Sequence, residues 1–269
     1  MTKVLVTLPV HNEAELLYES THRLAEGLDG ASLRYELSIA EDGSTDDTLS
    51  VIARLKAEFP NLVVRTSRKR LGRGLALRKL WSQVDADIYA FVDADLASGP
   101  EAVLRVVKEA ENGADVVTGS RYCPGSVVKR PALRHVISLA YNRIVRLAFH
   151  ESISDHQCGL KAFTHDAFSK LLSVCREETW AWDTEALVLA TLTGLRVVEV
   201  PVEWTEYRSV RTPILRLFSD ISMHGESLIH LKQRVMSQHL GLPYQGSASS
   251  HHTRAESVGA QGQKSALLR

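Results

Sequence analysis

The first half of the chain alternates between short apolar runs and longer amphipathic stretches, and this alternation restricts the folds that it can adopt. The apolar runs predict five strands: Val4–Val10, Tyr35–Ala40, Leu62–Arg65, Ile88–Val92 and Asp115–Thr118. The stretches between them predict four helices: Glu13–Leu28, Asp46–Phe59, Gly74–Val84 and Pro100–Asn112. Strands that alternate with helices predict an α/β fold with a mostly parallel sheet and helices on both faces.

Polar clusters follow four of these five strands. Pro9-Val10-His11-Asn12-Glu13 ends the first strand, and Glu41-Asp42-Gly43-Ser44-Thr45-Asp46 follows the second. Asp93 and Asp95 follow the fourth strand, and Gly119-Ser120-Arg121-Tyr122 follows the fifth. Parallel sheets of this kind bind their ligands at the carboxyl ends of the strands. The clusters therefore predict one ligand site along this edge of the sheet.

Asp93 and Asp95 are separated by one alanine at the end of a buried strand. Residues two apart on a strand share a face, so both carboxylates can converge on one cation. Carboxylate oxygens suit Mg²⁺ or Mn²⁺, which usually keep waters and bind substrate phosphates. Two acids in a solvated loop would be the ordinary interpretation of the pair alone. Its position at the third of four polar strand ends favours a metal that holds a nucleotide diphosphate.

The charge of the chain is balanced overall but uneven along the sequence. With 269 residues, 44% of them hydrophobic, the chain can fill a large core. Its formal net charge of +0 gives no overall attraction for nucleic acid, and no nucleic-acid partner is expected. Seven basic residues and no acid lie between Arg65 and Lys79. This cluster indicates an anionic ligand or a membrane surface, although a solvated face is an equally good interpretation.

The cysteines and the hydropathy pattern indicate the compartment. Cys123, Cys158 and Cys175 form no CxxC pair, which favours a reduced, cytoplasmic compartment over a disulfide framework or a zinc site. No signal peptide is expected, because no basic segment followed by an apolar core begins the sequence. No apolar run reaches the roughly eighteen residues that a membrane-spanning helix needs. Any membrane association should therefore be peripheral, on the cytoplasmic membrane face.

The second half predicts two basic amphipathic helices, over Leu133–Phe149 and from Pro213 to about Met236, with a strand over Val197–Trp204. Such helices either pack onto the domain or lie in a membrane interface. From Gln245 onward the chain has no periodicity, which indicates disorder. The predicted organisation is a main domain over 1–212, an amphipathic interface segment over 213–240 and a disordered tail over 241–269.

Asp42 and Arg121 have specific candidate roles at the predicted site. A carboxylate at a strand end can accept the imino N–H of uracil or guanine, which suits Asp42, although Asp-Gly-Ser is also ordinary turn chemistry. The planar fork of Arg121 suits a diphosphate or an acceptor phosphate. A structural salt bridge is the alternative for this arginine.

The four polar clusters, in this order, resemble family 2 glycosyltransferases of the GT-A fold, which is Rossmann-like. The subgroup they resemble is the polyprenyl-phosphate sugar synthases, such as dolichyl-phosphate mannose synthase and dolichyl-phosphate glucosyltransferase. Two later segments, Asp155–Phe163 and Trp180–Glu185, look most like the glucosyltransferase branch. The resemblance covers roughly residues 3–235, and its motifs are specific only when taken together.

This resemblance implies an inverting transfer of a hexose, with glucose favoured, from UDP-glucose or GDP-mannose to dolichyl or polyprenyl phosphate. It also implies Mg²⁺ or Mn²⁺ as the cofactor and the membrane surface as a partner. Alternatives are a GDP-mannose-dependent mannosyltransferase, a transferase with a soluble or saccharide acceptor, and a non-catalytic sugar-nucleotide-binding subunit. A nicotinamide enzyme is disfavoured, because no G-x-G-x-x-G follows the first strand and Gly72-Arg73-Gly74 is a weak match.

Site roles follow from the matching motifs, as the resemblance implies them. The residues that would bind the nucleotide are Pro9, His11, Glu13, Glu41 and Asp42, with Asp42 on the base. The residues that would hold the sugar nucleotide through the metal are Asp93 and Asp95. The arginines that would face the phosphates are Arg121, Arg134 and Arg211, the last in place of a lysine from a mobile basic loop. Asp183 is expected to position a substrate or brace the site rather than act as a base.

The sequence departs from the family pattern at several of these positions. His11 stands where the family usually has Tyr, and Glu41 replaces the first acid of Asp-Asp-Gly-Ser. Ala97 replaces a Gln that is a possible metal ligand in the mannose synthases, and the glucosyltransferase-like branch also lacks that Gln. The segment Ser209-Val210-Arg211 keeps only the cation of the family's Gly-Ser-Lys loop. These departures bear on how strongly the site would bind a metal and on whether the basic loop that carries Arg211 would close.

Overall fold

The computed structural model describes residues 2–31, 33–205 and 214–237, with side chains in the last range from residue 225 onward. The strands are β1 Lys3–Val10, β2 Arg34–Glu41, β3 Val63–Arg65, β4 Ile88–Val92, β5 Val116–Ser120, β6 Val127–Lys129, β7 Leu160–Thr164, β8 Val197–Pro201 and β9 Glu203–Thr205. The helices are α1 Leu17–Asp29, α2 Thr48–Glu58, α3 Arg73–Trp81, α4 Glu101–Glu111, α5 Ala132–Phe149, α6 His165–Val174, α7 Trp182–Leu192 and α8 Ile214–Met236.

Seven of the strands form one sheet in the order β3-β2-β1-β4-β7-β5-β8. All neighbouring strands in it are parallel except β7, which runs antiparallel to both β4 and β5. β6 and β9 pair in a separate two-stranded parallel sheet. The expected α/β architecture with a mostly parallel sheet is confirmed, and the exits of β1, β2 and β4 lie side by side.

The sheet is covered on both faces, and β1 shows why its apolar run is continuous. Val4, Val6 and Leu8 point into a core formed with α1, α2 and α4, whereas Leu5 points into the core on the other face. That second core is built around Trp81 from α3, with side chains of α6 and α7. A strand that is buried on both faces therefore has a near-continuous apolar run and not an alternating one.

Several predicted boundaries differ from the structure. The first helix begins at Leu17 rather than Glu13, because the intervening residues form a turn in which Leu16 and Leu17 donate backbone hydrogen bonds to the Glu13 carbonyl. The predicted strand Val197–Trp204 is two strands in different sheets, β8 and β9, with Val202 between them. β6, β7, α6 and α7 were not predicted from the sequence.

The last helix packs onto the domain in its described part. Leu231 is buried in the second core, Lys232 donates to the Ala148 carbonyl oxygen, and Arg234 pairs with the buried carboxylate of Glu185. In the described part of the chain, no helix is both long and apolar enough to cross a bilayer. The predicted disordered tail, 241–269, lies outside the described residues.

Candidate active site

A cleft of about 500 Å³ opens at the carboxyl ends of β1, β2 and β4. It gathers residues from three of the polar clusters, from the basic segment at the start of α3 and from the segment before α7. Its lining includes Pro9, His11, Asn12, Glu13, Asp42, Arg70, Arg73, Asp93, Asp95 and Trp180. Six of the predicted site residues therefore lie together: Pro9, His11, Glu13, Asp42, Asp93 and Asp95.

The loops after β1 and β2 are tied to each other by side chains. His11 Nδ1 lies 2.8 Å from the Asp42 carbonyl oxygen. Asn12 has a left-handed backbone with φ 57°, and its Oδ1 accepts from the Thr45 amide at 2.8 Å. The Glu13 amide donates to Thr48 Oγ1 at 2.9 Å. Polar residues at both strand ends thus fix one wall of the cleft.

The two acids after β2 bind backbone amides of the segment that follows β3. Asp42 is buried, and its carboxylate oxygens accept from the amides of Leu71 at 2.5 Å and Gly72 at 2.9 Å. Glu41 is also buried and accepts from Ser44 and Ser67. These bonds hold the basic segment before α3 against the cleft.

Asp93 follows the last residue of β4, and Gly159, directly before β7, contacts both its backbone and its side chain. Its backbone amide donates to the Gly159 carbonyl oxygen at 2.8 Å. A Cβ atom built on Gly159 would lie 1.8 Å from Asp93 Oδ2 and 2.2 Å from its Cγ, so only glycine leaves room for this carboxylate. The Asp93 side chain is 25% exposed. It therefore remains accessible to a ligand in the cleft.

Asp95 is half-buried and shapes the loop that follows Asp93. Its Oδ1 accepts from the Ala97 amide at 3.1 Å, and Leu96 between them has a left-handed backbone with φ 47°. The described residues contain no group of three or more His, Cys, Asp or Glu side chains arranged to hold a metal. A pair of carboxylates fits Mg²⁺ or Mn²⁺ nonetheless, because such ions usually take one or two carboxylates plus waters and substrate phosphates.

Arg73 is a buried positive charge that lines the cleft. Its Nη1 donates to Asp93 Oδ1 at 2.8 Å, and its Nη2 donates to Asp183 Oδ2. The guanidinium carbon lies 3.8 Å from the ring centroid of Trp180, which forms the outer wall. Burial lowers the pKa of Arg73, and the neighbouring Asp93 opposes that shift. The arginine nevertheless stays charged, since its ordinary pKa is far above neutrality.

Lys161, on β7, lies in the fully buried layer beneath this arginine. Its Nζ donates to the Cys158 carbonyl oxygen at 2.7 Å and lies 3.9 Å from Asp183 Oδ2. Burial lowers the pKa of Lys161 to about 8. Asp183 is itself 1% exposed at the first turn of α7. The floor of the cleft is thus a buried network of charges.

Arg121 forms a structural salt bridge, which was the alternative to its predicted contact with a phosphate. Its Nε lies 2.7 Å and its Nη2 2.8 Å from the two carboxylate oxygens of Asp155, and both residues are buried. Burial opposes ionisation of both groups, but their mutual attraction raises the pKa of Arg121 and lowers that of Asp155. Arg134 lies half-buried on α5, and Arg211 lies outside the described residues.

Replacing Asp155 by alanine should lower the free energy of unfolding by about 3–5 kcal/mol, because Arg121 would stay buried without its counter-ion. Urea denaturation at neutral pH measures this. Since the pKa of Asp155 is lowered, the stabilisation is complete above the ordinary pKa of an aspartate and is lost as the pH falls through the lowered value. The control Arg54→Ala breaks an exposed pair with Glu58 and should change stability little. Equal effects of the two variants would contradict the prediction.

Sequence reasoning missed Arg70, Arg73 and Trp180 as cleft residues and Gly159 and Lys161 as their support. Arg70 and Arg73 belong to the basic cluster between Arg65 and Lys79, whose anionic-ligand interpretation pointed toward them without selecting either. The other three lie in the two later motif segments, which were recognised by resemblance alone. Their contact with Asp93 and Arg73 depends on the position of β7, which the sequence analysis did not predict.

Comparison with known proteins assigns the family. Residues 5–172 match the family model described as Glycosyl transferase family 2. This chain belongs to glycosyl transferase family 2. The family predicted from the motifs is therefore confirmed, and the matched region of this family 2 chain contains every lining residue listed above except Trp180.

Two curated proteins show how far the similarity of this family 2 chain extends. It is 37% identical over 217 residues to Glycosyltransferase AglD of Haloferax volcanii, covering 80% of this chain and 35% of that protein. It is 29% identical over 180 residues to Dolichyl-phosphate beta-glucosyltransferase ALG5A of Trichomonas vaginalis, covering 65% of this chain and 55% of that protein. The chain thus spans only part of the length of either relative.

A solved structure supports the fold. Glucosyl-3-phosphoglycerate synthase from Mycobacterium tuberculosis, crystallised with Mn²⁺, uridine diphosphate and phosphoglyceric acid, superposes with a TM-score of 0.67. The identity is 19%, and the match covers 86% of this chain and 78% of that one. Together with the family match, this likeness confirms the expected GT-A fold.

Proposed function

We propose that this chain is the catalytic domain of an inverting glycosyltransferase that moves a hexose from a nucleotide-diphosphate sugar to dolichyl or polyprenyl phosphate. The observation that carries the proposal is the cleft itself, where the acids Asp93 and Asp95 lie with the cations Arg70 and Arg73 at the strand ends. A metal held by these acids would neutralise the negative charge of a diphosphate together with the neighbouring arginines.

The donor is UDP-glucose or GDP-mannose, with glucose favoured. This preference rests on the segments Asp155–Phe163 and Trp180–Glu185, which resemble the glucosyltransferase branch, and on the similarity to a protein named as a dolichyl-phosphate beta-glucosyltransferase. Asp93 and Asp95 would hold Mg²⁺ or Mn²⁺, which would neutralise charge on the diphosphate. The loops after β1 and β2 would hold the nucleoside.

The reaction needs little general-base help. An oxygen of the acceptor phosphate would attack the anomeric carbon as the bond to the donor diphosphate breaks, and the diphosphate would leave with the bonding electrons. A phosphomonoester has a second pKa of about 6, so the nucleophile arrives largely deprotonated. Asp183 is 1% exposed and is covered by Arg73, which fits a bracing role better than that of a base.

Helix α5 would contact the membrane that holds the acceptor. Its polar residues Ser138 and Asn142 are buried, whereas several of its apolar residues are exposed. The exposed apolar side chains of this helix are Leu133 at 63%, Val136 at 61%, Leu139 at 40%, Ile144 at 55% and Leu147 at 66%. Arg134 and Arg143 lie on the same helix. An apolar helix face with nearby arginines suits an interface of anionic lipids. We therefore propose peripheral association with the cytoplasmic membrane face.

The activity test incubates the purified chain with Mn²⁺ or Mg²⁺, polyprenyl phosphate in vesicles and a panel of labelled nucleotide sugars. Label that becomes extractable into organic solvent with one donor supports the proposal and identifies that donor. Label in a water-soluble product instead indicates a soluble acceptor. Nucleotide binding without transfer to any acceptor, by a folded protein, overturns the enzymatic proposal and favours a binding subunit.

The membrane surface is tested separately with the variant Leu133→Glu/Leu147→Glu. It should sediment with anionic vesicles at least about tenfold less than the unmodified chain, while its turnover of a short-chain, detergent-dispersed acceptor stays within about twofold. Leu49→Glu is the matched control, because Leu49 is a 48% exposed leucine on α2. Equal sedimentation of all three proteins would show that α5 is not the membrane surface.

A further inference from the structure

Arg73 contacts the proposed metal ligand Asp93 and the buried Asp183 at the same time. One terminal nitrogen of its guanidinium binds Asp93 at 2.8 Å, and the other binds Asp183. The Arg73 side chain is 5% exposed and that of Asp183 is 1% exposed, whereas that of Asp93 is 25% exposed. The arginine therefore sits between an acid that faces the cleft and an acid that does not.

The backbone around Arg73 is fixed by close contacts with the segment before α7. Gly72 has φ +95°, and a Cβ atom on it would lie 2.5 Å from the Glu178 carbonyl oxygen. A Cβ atom on Gly74 would lie 2.4 Å from Trp182 Cβ. The Leu75 amide also donates to the Glu178 carbonyl oxygen at 2.9 Å. The guanidinium is thus presented from a rigid helix start, so only its side chain is free to change partners.

The present arrangement leaves two buried polar atoms of this group without hydrogen bonds. Among the described residues, Asp183 Oδ1 and Arg73 Nε have no hydrogen-bond partner. A buried polar atom without a hydrogen-bond partner destabilises the arrangement that contains it. An arginine fork that left Asp93 could bind both oxygens of Asp183 side by side, which is the favoured geometry for this pair. Asp183 therefore offers the guanidinium a second, fully paired position.

We propose that Arg73 is the counter-ion of Asp93 in the metal-free protein, that a divalent cation displaces it, and that Asp183 then retains it at the cleft wall. This inference rests on the proposed function, which places the cation on Asp93. Arg73 and the metal would compete for one carboxylate. The displaced guanidinium would remain beside the cleft, where it would face the diphosphate of the donor.

The experiment measures binding of Mn²⁺ alone, by calorimetry and by the electron paramagnetic resonance of free Mn²⁺, without any nucleotide. Arg73→Met should bind Mn²⁺ about tenfold more tightly, because the competing charge is gone. Asp183→Asn should bind it more weakly than the unmodified chain, by about threefold or more, because the displaced arginine loses its second position. Arg54→Met, on exposed α2, is the matched arginine control and should bind Mn²⁺ like the unmodified chain.

The opposite signs separate this proposal from a purely structural role, which would weaken Mn²⁺ binding in both variants. Because Arg73→Met removes the hydrogen-bonded counter-ion of the buried Asp183, the variant Arg73→Met/Asp183→Asn provides a second test with both charges removed. It should bind Mn²⁺ as tightly as Arg73→Met does. Mn²⁺ binding by both Arg73 variants that is no tighter than that of the unmodified chain would overturn the proposal.

A second measurement connects the displaced arginine to the donor. With Mn²⁺ saturating, Arg73→Met should bind uridine diphosphate or guanosine diphosphate about tenfold more weakly, although it binds the metal more tightly. Unchanged affinity for both nucleotides would show that Arg73 does not contact the diphosphate. These binding results are independent of transfer, so a chain that binds as expected but transfers no sugar would refute the proposed function and leave the metal–arginine exchange standing.

Discussion

Replacing Gly159 by alanine is expected to lower kcat by about a hundredfold or more while the protein stays folded. The added Cβ would lie 1.8 Å from Asp93 Oδ2, and the three atoms nearest to that Cβ all belong to the Asp93 side chain. The carboxylate must therefore rotate away from its place in the cleft. A misplacement of about 1 Å at a reacting centre can cost about 10²-fold in rate.

The measurements for Gly159→Ala are donor turnover, Mn²⁺ affinity and the free energy of unfolding. We expect donor turnover and Mn²⁺ affinity to fall. The free energy of unfolding should change by about 1 kcal/mol or less, because the short Asp93 side chain can avoid the added Cβ by moving into the open space of the cleft. Gly30→Ala is the matched control, since a Cβ there meets nothing within 4 Å. Normal turnover of Gly159→Ala would show that the reaction does not need Asp93 in its present position.

Replacing Asp95 by alanine should abolish turnover, with a loss of about a thousandfold or more. The proposed metal site has two carboxylates, and losing one removes half of the protein charge that holds the cation. A metal ion that polarises a phosphoryl group contributes several kcal/mol to transition-state stabilisation. Initial rates at saturating Mn²⁺ measure the effect, and Mn²⁺ titration shows whether binding is the step that is lost.

A second variant distinguishes loss of the metal from damage to the loop. Asp95 Oδ1 accepts a hydrogen bond from the Ala97 amide, and Asp95→Asn retains an oxygen for that bond while it removes the charge. Both variants should be inactive if the charge matters. Asp47→Ala is the control, because Asp47 is exposed and makes no capping hydrogen bond. An unchanged rate for Asp95→Ala would show that Asp95 is not a ligand of the metal.

The part of the fold that the sequence predicted well is the part with local patterns. β1, β2 and β4 are apolar runs that end in polar clusters, and each lies within a few residues of its predicted position. Parallel strands end at the same edge of a sheet, so the strand ends that carry His11, Asp42 and Asp93 had to be neighbours once the strands were adjacent. The roles assigned to these residues remain predictions until turnover is measured.

The interior of the site was not predictable in the same way. Lys161 belongs to an ordinary short strand, and nothing in its neighbours along the sequence indicates that its charge is fully buried beside Asp183. Arg73 was one of seven basic residues in its cluster, and only its two carboxylate partners distinguish it. Such pairings join residues 20 and 110 positions apart, a range over which hydrophobic periodicity carries no information.

Arg121 illustrates the same limit for an electrostatic contact. From the sequence, its fork was assigned to a phosphate with a structural salt bridge as the alternative, and the buried Asp155, 34 positions away along the chain, is its partner in the structure. The sequence could state the alternatives because the chemistry of a guanidinium is local. It could not choose between them, because the choice depends on which side chain the fold brings within 3 Å.

Local patterns along the chain predicted the alternation of strands and helices, the polar strand ends and the family, because each of these is carried by short motifs of neighbouring residues. The antiparallel position of β7 between β4 and β5 became evident in the folded structure alone. That insertion places Gly159 against Asp93 and Lys161 beneath the cleft. The physical reason is that strand order is set by long-range packing, which short-range periodicity does not encode.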